Sequence, residues 1–176
     1  SLERDFEWRF STFDPAVVAL EPADGELFAG PTQPVRVIFN QPVQHATAVE
    51  RLTLETAGQS LSGTIGWSGG ATPAMTETLI FTPTTPLPRG AAVIARLRAG
   101  VAAASGPRVT ISDTISTFRV APPPGVETIT PRNGAVNVNP QGEVEITFAS
   151  PMLREGFMRY VRITPAVTKV YTDWTS

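Results

Sequence analysis

The chain has 176 residues, a formal net charge of −2, 41% hydrophobic residues, 17 Pro, 14 Gly and no Cys. The apolar content excludes wholesale disorder, and the slightly acidic balance excludes the concentrated basic surface that nucleic acid requires. Disulfides, thiol catalysis, thiolate metal sites and an internal thioester are excluded within these residues by the lack of Cys. Few charges with many Pro and Gly describe short strands joined by frequent turns, so the composition reads as all-β.

In chain order, Phe6–Phe13 reads as a strand ending in Ser11-Thr-Phe13. The opening, Ser1-Leu-Glu-Arg-Asp-Phe-Glu-Trp8, is too charged for a signal peptide, which places any export signal upstream. Pro22-Ala-Asp-Gly25 suits a tight turn, because Pro sets φ and Asp-Gly tolerates the left-handed region. Val35, Val37 and Phe39 alternate with Arg36, Ile38 and Asn40, the period of a strand that buries one face. Pro42 lacks an N–H and ends pairing soon afterwards, leaving room for a helical turn before Leu52 and Leu54. Gly66-Trp-Ser-Gly-Gly70 reads as a glycine-rich hairpin turn. Thr78–Thr82 is a strand with Leu79 and Phe81 inward, stopped by Pro83, and Leu87-Pro-Arg-Gly90 is a turn. Ala91–Ala99 sets Val93, Ala95 and Leu97 inward against Ile94, Arg96 and Arg98. Thr114–Val120 closes the set before a stiff linker, Pro122-Pro-Pro-Gly125. Seven short strands in about 105 residues match a two-sheet Greek-key sandwich.

The chain also repeats itself. Pro22–Gly25 recurs as Pro131-Arg-Asn-Gly134, an offset of 109 residues. At the same offset Val35, Val37 and Phe39 fall on Val144, Ile146 and Phe148, Pro42-Val43 on Pro151-Met152, and Leu52 and Leu54 on Val161 and Ile163. Trp67 and Trp174 lie 107 apart, and Ser11-Thr-Phe13 matches Ser116-Thr-Phe118. The organisation expected is therefore the terminal strand of a preceding repeat over 1–14, a complete module over 15–121, and the first half of a second module over 122–176. The inner face of that half, Val144, Ile146, Phe148, Val161 and Ile163, would then lack an opposing sheet. Supplementation of it by the Phe6–Phe13 strand of another chain is one expected mode of self-association.

Chemistry is sparse. Gly66–Gly70 formally matches the G-x-S-x-G nucleophile elbow around Ser68, but that device needs a following helix and a later His. Gly69-Gly-Ala-Thr-Pro73 starts no helix, and the single His, His45, precedes Ser68. His45 sits in a polar stretch and reads as a surface residue. Asp14, Asp24 and Asp113 are dispersed and form no calcium loop. Arg154, Arg159 and Arg162 lie close together but are interrupted by Glu155, and they carry little weight as an anion site. Trp67 and Trp174 hold equivalent repeat positions, which points to a structural role at a sheet rim. No catalytic, cofactor-binding or metal residue is assigned, no cofactor is expected, and no run of 18 apolar residues suggests insertion into a membrane.

Pro22–Gly25, Phe39-Asn-Gln-Pro42-Val43, Leu79-Ile-Phe-Thr-Pro83, Leu87–Gly90 and Ser116-Thr-Phe118 together resemble the bacterial Ig-like domain of S-layer and cell-envelope proteins. The resemblance implies immunoglobulin-like Greek-key β-sandwich modules in tandem, in an extracytoplasmic protein. Val93 stands where that family usually has Tyr, so no tyrosine-corner hydrogen bond is expected. Phe148-Ala-Ser-Pro151-Met152, Val161-Arg-Ile-Thr-Pro165 and Val170-Tyr-Thr-Asp-Trp174 resemble the N-terminal region of bacterial alpha-2-macroglobulin-like proteins. That resemblance implies a non-catalytic scaffold piece of a protease inhibitor, with adjacent β-sandwich domains of the parent as partners and target proteases met by other domains. A binding or spacer module of an adhesin or S-layer protein is the alternative, and an accessory domain of a secreted glycoside hydrolase a third.

Overall fold

A computed structural model describes residues 13–69, 76–164 and 170–174. It divides into two compact units, Ser1–Pro123 and Pro124–Ser176. The expected strand Phe6–Phe13, and the strand exchange built on it, lies outside the described residues except for Phe13.

The first unit stacks two antiparallel sheets. One has the order β1 (Val17–Glu21), β2 (Val35–Phe39), β6 (Glu77–Pro83), β5 (Gly63–Gly69). The other runs β4 (Gln59–Ser60), β3 (Leu52–Thr56), β7 (Ala92–Leu97), β8 (Thr114–Arg119). The chain changes sheet after β2, after β4 and after β6, which makes the sandwich a Greek key. The one α-helix described, α1 (His45–Arg51), carries the first of those crossings.

Alternation fixes the core. Val35, Val37 and Phe39 of β2 and Leu79 and Phe81 of β6 face Val93, Ala95 and Leu97 of β7 and Phe118 of β8, all buried, while Arg36, Ile94 and Arg96 point outward. Turn chemistry sets the corners: Gly25 and Gly90 occupy the left-handed region at φ 81° and 75°. Asn40 ties the incoming chain to the end of β2. Its N–H donates to the Ala16 carbonyl (3.0 Å), its side-chain oxygen accepts from the Ala16 N–H (2.9 Å), and its amide donates to the Asp14 carbonyl (2.9 Å). After β1 the segment Gly25–Ala29 crosses to the other sheet and runs along β8. There Gly25 N–H donates to Thr117 O (2.8 Å), Arg119 N–H to Glu26 O (2.7 Å), Ala29 N–H to Arg119 O (3.0 Å) and Ala121 N–H to Ala29 O (2.9 Å). Ala29 and Val120 form a parallel bridge.

Two elements depart from the sequence reading. The expected hairpin turn at Gly66–Gly70 is instead strand as far as Gly69, and Gly70 lies outside the described residues. A Cβ at Gly63 would strike the Phe81 ring, and one at Gly69 the Thr76 carbonyl, so these glycines let a strand lie close against β6. Among the described residues the sandwich has eight strands, counting the two-residue β4, in place of the seven expected.

In the second unit β9 (Val126–Thr130) pairs with β10 (Glu145–Phe148). This hairpin copies β1–β2 in detail. Glu21↔Arg36, Leu20↔Val37, Ala19↔Ile38 and Val17↔Phe39 become Thr130↔Glu145, Ile129↔Ile146, Thr128↔Thr147 and Val126↔Phe148, each residue 109 positions on, with the register irregularity at the same step. The Asn40 N–H to Ala16 O bond recurs as Ala149 N–H to Gly125 O (2.9 Å), and Gly134, like Gly25, is left-handed. A 3₁₀ turn, Phe157–Tyr160, takes the place of the second half of α1. Cover differs between the copies. Ile146 and Phe148 are half-buried where Val37 and Phe39 are fully buried, and Val144 and Ile163 are exposed.

Candidate functional site at a corner of the first sandwich

One corner concentrates the polar chemistry of the first unit. Glu77 opens β6 on its inward face, in phase with Leu79 and Phe81, and is only 6% exposed. A buried carboxylate is costly unless hydrogen-bonded, and both oxygens are used. Oε2 accepts the Val43 N–H at 2.9 Å, and Oε1 lies 2.8 Å from Nε2 of His45. The His45 ring lies flat on Trp67, with centroids 3.8 Å apart and planes 5° from parallel. Trp67 stacks in turn towards Phe39 at 6.5 Å. A continuous line thus runs from the core Phe to a half-exposed imidazole.

Neighbouring backbone holds the corner in place. Gln44 N–H donates to Ala102 O (2.8 Å), Ala104 N–H to Pro42 O (2.9 Å) and Ala102 N–H to the Thr47 hydroxyl (3.0 Å). His45 lies at the surface, as expected, with its side chain 51% exposed, and it also opens α1, with stacking and the carboxylate holding its ring. Glu77 was the residue missed by the sequence reading. The available signal was a Glu on the inward phase of Leu79 and Phe81, which alternation alone would place in the core.

The corner does not assemble a hydrolase. Ser68 lies inside β5 opposite Thr78, and the residue after it is still strand. Alternation puts Ser68 on the opposite face of the sheet from Trp67, and so from the imidazole stacked on Trp67. The dispersed aspartates each have structural partners. Asp14 accepts from Arg108 (2.6 Å), Asp24 from the Thr117 N–H (2.8 Å), and Asp113 from the Ala99 N–H (2.9 Å). Among the described residues no group of three His, Asp or Glu could hold a metal ion, and no helix is long and apolar enough to cross a membrane.

The second unit carries a related corner. Arg154, 109 residues after His45, sits 5.7 Å over the ring of Trp174, the repeat counterpart of Trp67. Phe157 meets Trp174 edge-on at 5.1 Å and Phe148 at 5.5 Å. A cationic or imidazole group over an indole thus recurs, linked to the strand Phe directly in the first copy and through Phe157 in the second. The Arg159 side chain folds over Gly156.

A family model for the bacterial Ig-like domain matches residues 11–120. The chain belongs to the bacterial Ig-like domain family. No curated protein matches the chain. Among solved structures, the Ig-like chain is similar to an LD transpeptidase in complex with imipenem, with 18% identity and a TM-score of 0.43, over 64% of this chain and 41% of that one. It is similar also to L,D-transpeptidase 3 from Mycobacterium tuberculosis with a faropenem-derived adduct, with 18% identity and a TM-score of 0.40, over 63% of this chain and 39% of that one. A third is the N-terminal part of the bacterial S-layer protein SbsC, with 20% identity and a TM-score of 0.43, over 67% of this chain and 26% of that one. The chain spans less than half the length of each of these proteins.

Proposed function

We propose that the chain is a non-catalytic tandem of Ig-like modules in a large extracytoplasmic bacterial protein, where it spaces and packs neighbouring β-sandwich domains. The observation that carries this reading is the second hairpin, which reproduces the register of the first residue for residue, irregularity included. Such copying maintains a packing unit. In the first copy the polar residues at the corner serve to fasten strands and crossings. On the resemblance of Phe148–Met152, Val161–Pro165 and Val170–Trp174, the parent is an alpha-2-macroglobulin-like protease inhibitor.

Two measurements test the two levels separately. Incubation of the parent protein with a panel of proteases should leave cleavage of small peptide substrates intact and suppress cleavage of large protein substrates. A parent without that effect refutes the inhibitor and leaves the scaffold. Esterase or peptidase turnover by this chain that Ser68→Ala or His45→Gln abolishes refutes the scaffold.

A further inference from the structure

We propose that β5 is a self-docking edge, at which two copies of this chain pair antiparallel through Gly63–Gly69 about a two-fold axis at Gly66. The inference goes beyond the scaffold reading and rests on four observations.

The first is that the other sheet edges of the first unit are blunted and this one is not. The Gly25–Ala29 segment covers β8, and β4 has two residues. β1 is five residues long, carries a register irregularity between Val17 and Ala19, and lies between Pro15 and Pro22. β5 runs for seven residues without Pro or charge, pairs with β6 in unbroken register, and has no other strand beside it among the described residues. A long, uncharged, regular edge is the template on which another strand adds.

The second is which backbone groups the edge offers. Thr84 N–H donates to Ser62 O at 3.0 Å, so Ser62 and Thr84 form a hydrogen-bonded pair. Bonded and non-bonded pairs alternate along an antiparallel ladder. Thr64, Gly66 and Ser68 therefore bond β6, while Gly63, Ile65, Trp67 and Gly69 turn their N–H and C=O groups to the open edge. Pro83, opposite Gly63, falls in a non-bonded pair, as a residue without an N–H should.

Self-complementarity is the third. A dyad at Gly66 sets Gly63 against Gly69 and Ile65 against Trp67 of the second copy. Every outward-facing residue then meets an outward-facing partner, giving about eight inter-chain hydrogen bonds in a closed, isologous contact. Ile65 is 37% exposed although alternation points it inward; in the pair it lies beside the indole of the other copy.

Gly66 itself is the fourth. Gly63 and Gly69 are required by Phe81 and Thr76, but Gly66 has an ordinary φ and no described atom within 4 Å of the place a Cβ would occupy. Glycine in mid-strand weakens a strand and marks places where another backbone comes close. On the dyad, Gly66 meets its own copy in a narrow non-bonded pair, where Cα atoms approach to about 4.5 Å. This identifies a second copy, rather than an unrelated peptide, as the occupant.

Sedimentation equilibrium of the chain from micromolar to millimolar concentration should show the mass rising from 18.8 kDa towards twice that value. Ile65→Pro removes an N–H that faces the edge and none that faces β6, and should abolish the rise. The double variant Thr64→Lys, Ser68→Lys sets like charges face to face across the dyad, as does Thr64→Glu, Ser68→Glu with the opposite sign. Each alone should stay monomeric, and their equimolar mixture should recover the dimer. Circular dichroism checks the fold; if Ile65→Pro unfolds, the charged pair decides alone, since both positions face solvent. A wild-type chain still monomeric at millimolar concentration overturns the proposal. So does association that survives the charged variants, or a mixture that fails to recover it.

Discussion

Replacing Phe39 by Ala should destabilise the first unit more than any other single truncation in β2. Phe39 is fully buried, at the crossing of β2 with β1 and β6, where its cross-strand partners are Val17 and Glu77. Truncating a buried Phe typically costs about 3–5 kcal/mol through lost transfer energy and the cavity left behind. The Trp67 ring, 6.5 Å away, lies within the range in which an aromatic pair adds about 0.5–1.5 kcal/mol. The total therefore belongs in the upper half of that interval, at about 4–5 kcal/mol. For a domain near one hundred residues this lowers the melting temperature by about 20 °C. The assay is urea and thermal unfolding of wild type and variant, followed by near-ultraviolet circular dichroism, in which the neighbouring indole reports on packing. Ile94→Ala, on the outer face of β7, is the control and should cost less than about 1 kcal/mol. A loss at Phe39 below about 0.5 kcal/mol, the size expected of a surface change, would refute both the assigned register and the core built on it.

Glu77→Gln replaces the charged acceptor of the Val43 N–H by a neutral one and leaves His45 paired only as the tautomer that accepts at Nε2. We expect a loss of about 1–3 kcal/mol by chemical denaturation, and an unchanged midpoint would show that the carboxylate is not holding the corner. Gly63→Ala forces a methyl group into the Phe81 ring and should cost about 1–3 kcal/mol. Gly66→Ala meets open space in this chain and should leave unfolding unchanged or stabilise it by up to about 1 kcal/mol; equal losses at the two glycines would contradict the β5 register. Ser68→Ala, on the outer face of an edge strand, should alter stability by less than about 0.5 kcal/mol. A larger stability change would indicate a buried Ser68.

Alternation made most of the sandwich legible. Val35, Val37 and Phe39, and again Val93, Ala95 and Leu97, declare a buried face because period two has one physical cause. Glycine was less legible, because the same residue type serves turns, close approaches and left-handed positions. Gly66–Gly70 has the composition of a turn, and only the Phe81 ring, brought against Gly63 by tertiary folding, explains why a strand runs there. Glu77 was hidden for a related reason. Alternation places it in the core, but its partners, the Val43 N–H and His45, lie more than thirty residues earlier, and no local pattern announces which distant crossing the carboxylate completes. The Arg154–Trp174 stack could be anticipated only as an equivalence of position, since the His in the first copy and the Arg in the second share no sequence identity.

The crossing of Gly25–Ala29 onto β8 has a mechanical consequence. That segment runs parallel to β8, the first and last parts of one sandwich lying side by side and pointing the same way. Tension applied through the chain on either side of the sandwich pulls these two parts in opposite directions along their length. The bonds between Gly25 and Thr117, Glu26 and Arg119, Ala29 and Arg119, and Ala29 and Ala121 are then sheared together, and none can open before the others take up load. An edge peeled from one end would give way bond by bond under a much smaller force. A module fastened in this way resists stretching first where its own ends meet, with the buried Ser116 hydroxyl on the Pro22 carbonyl (2.7 Å) as a further tie across the same seam.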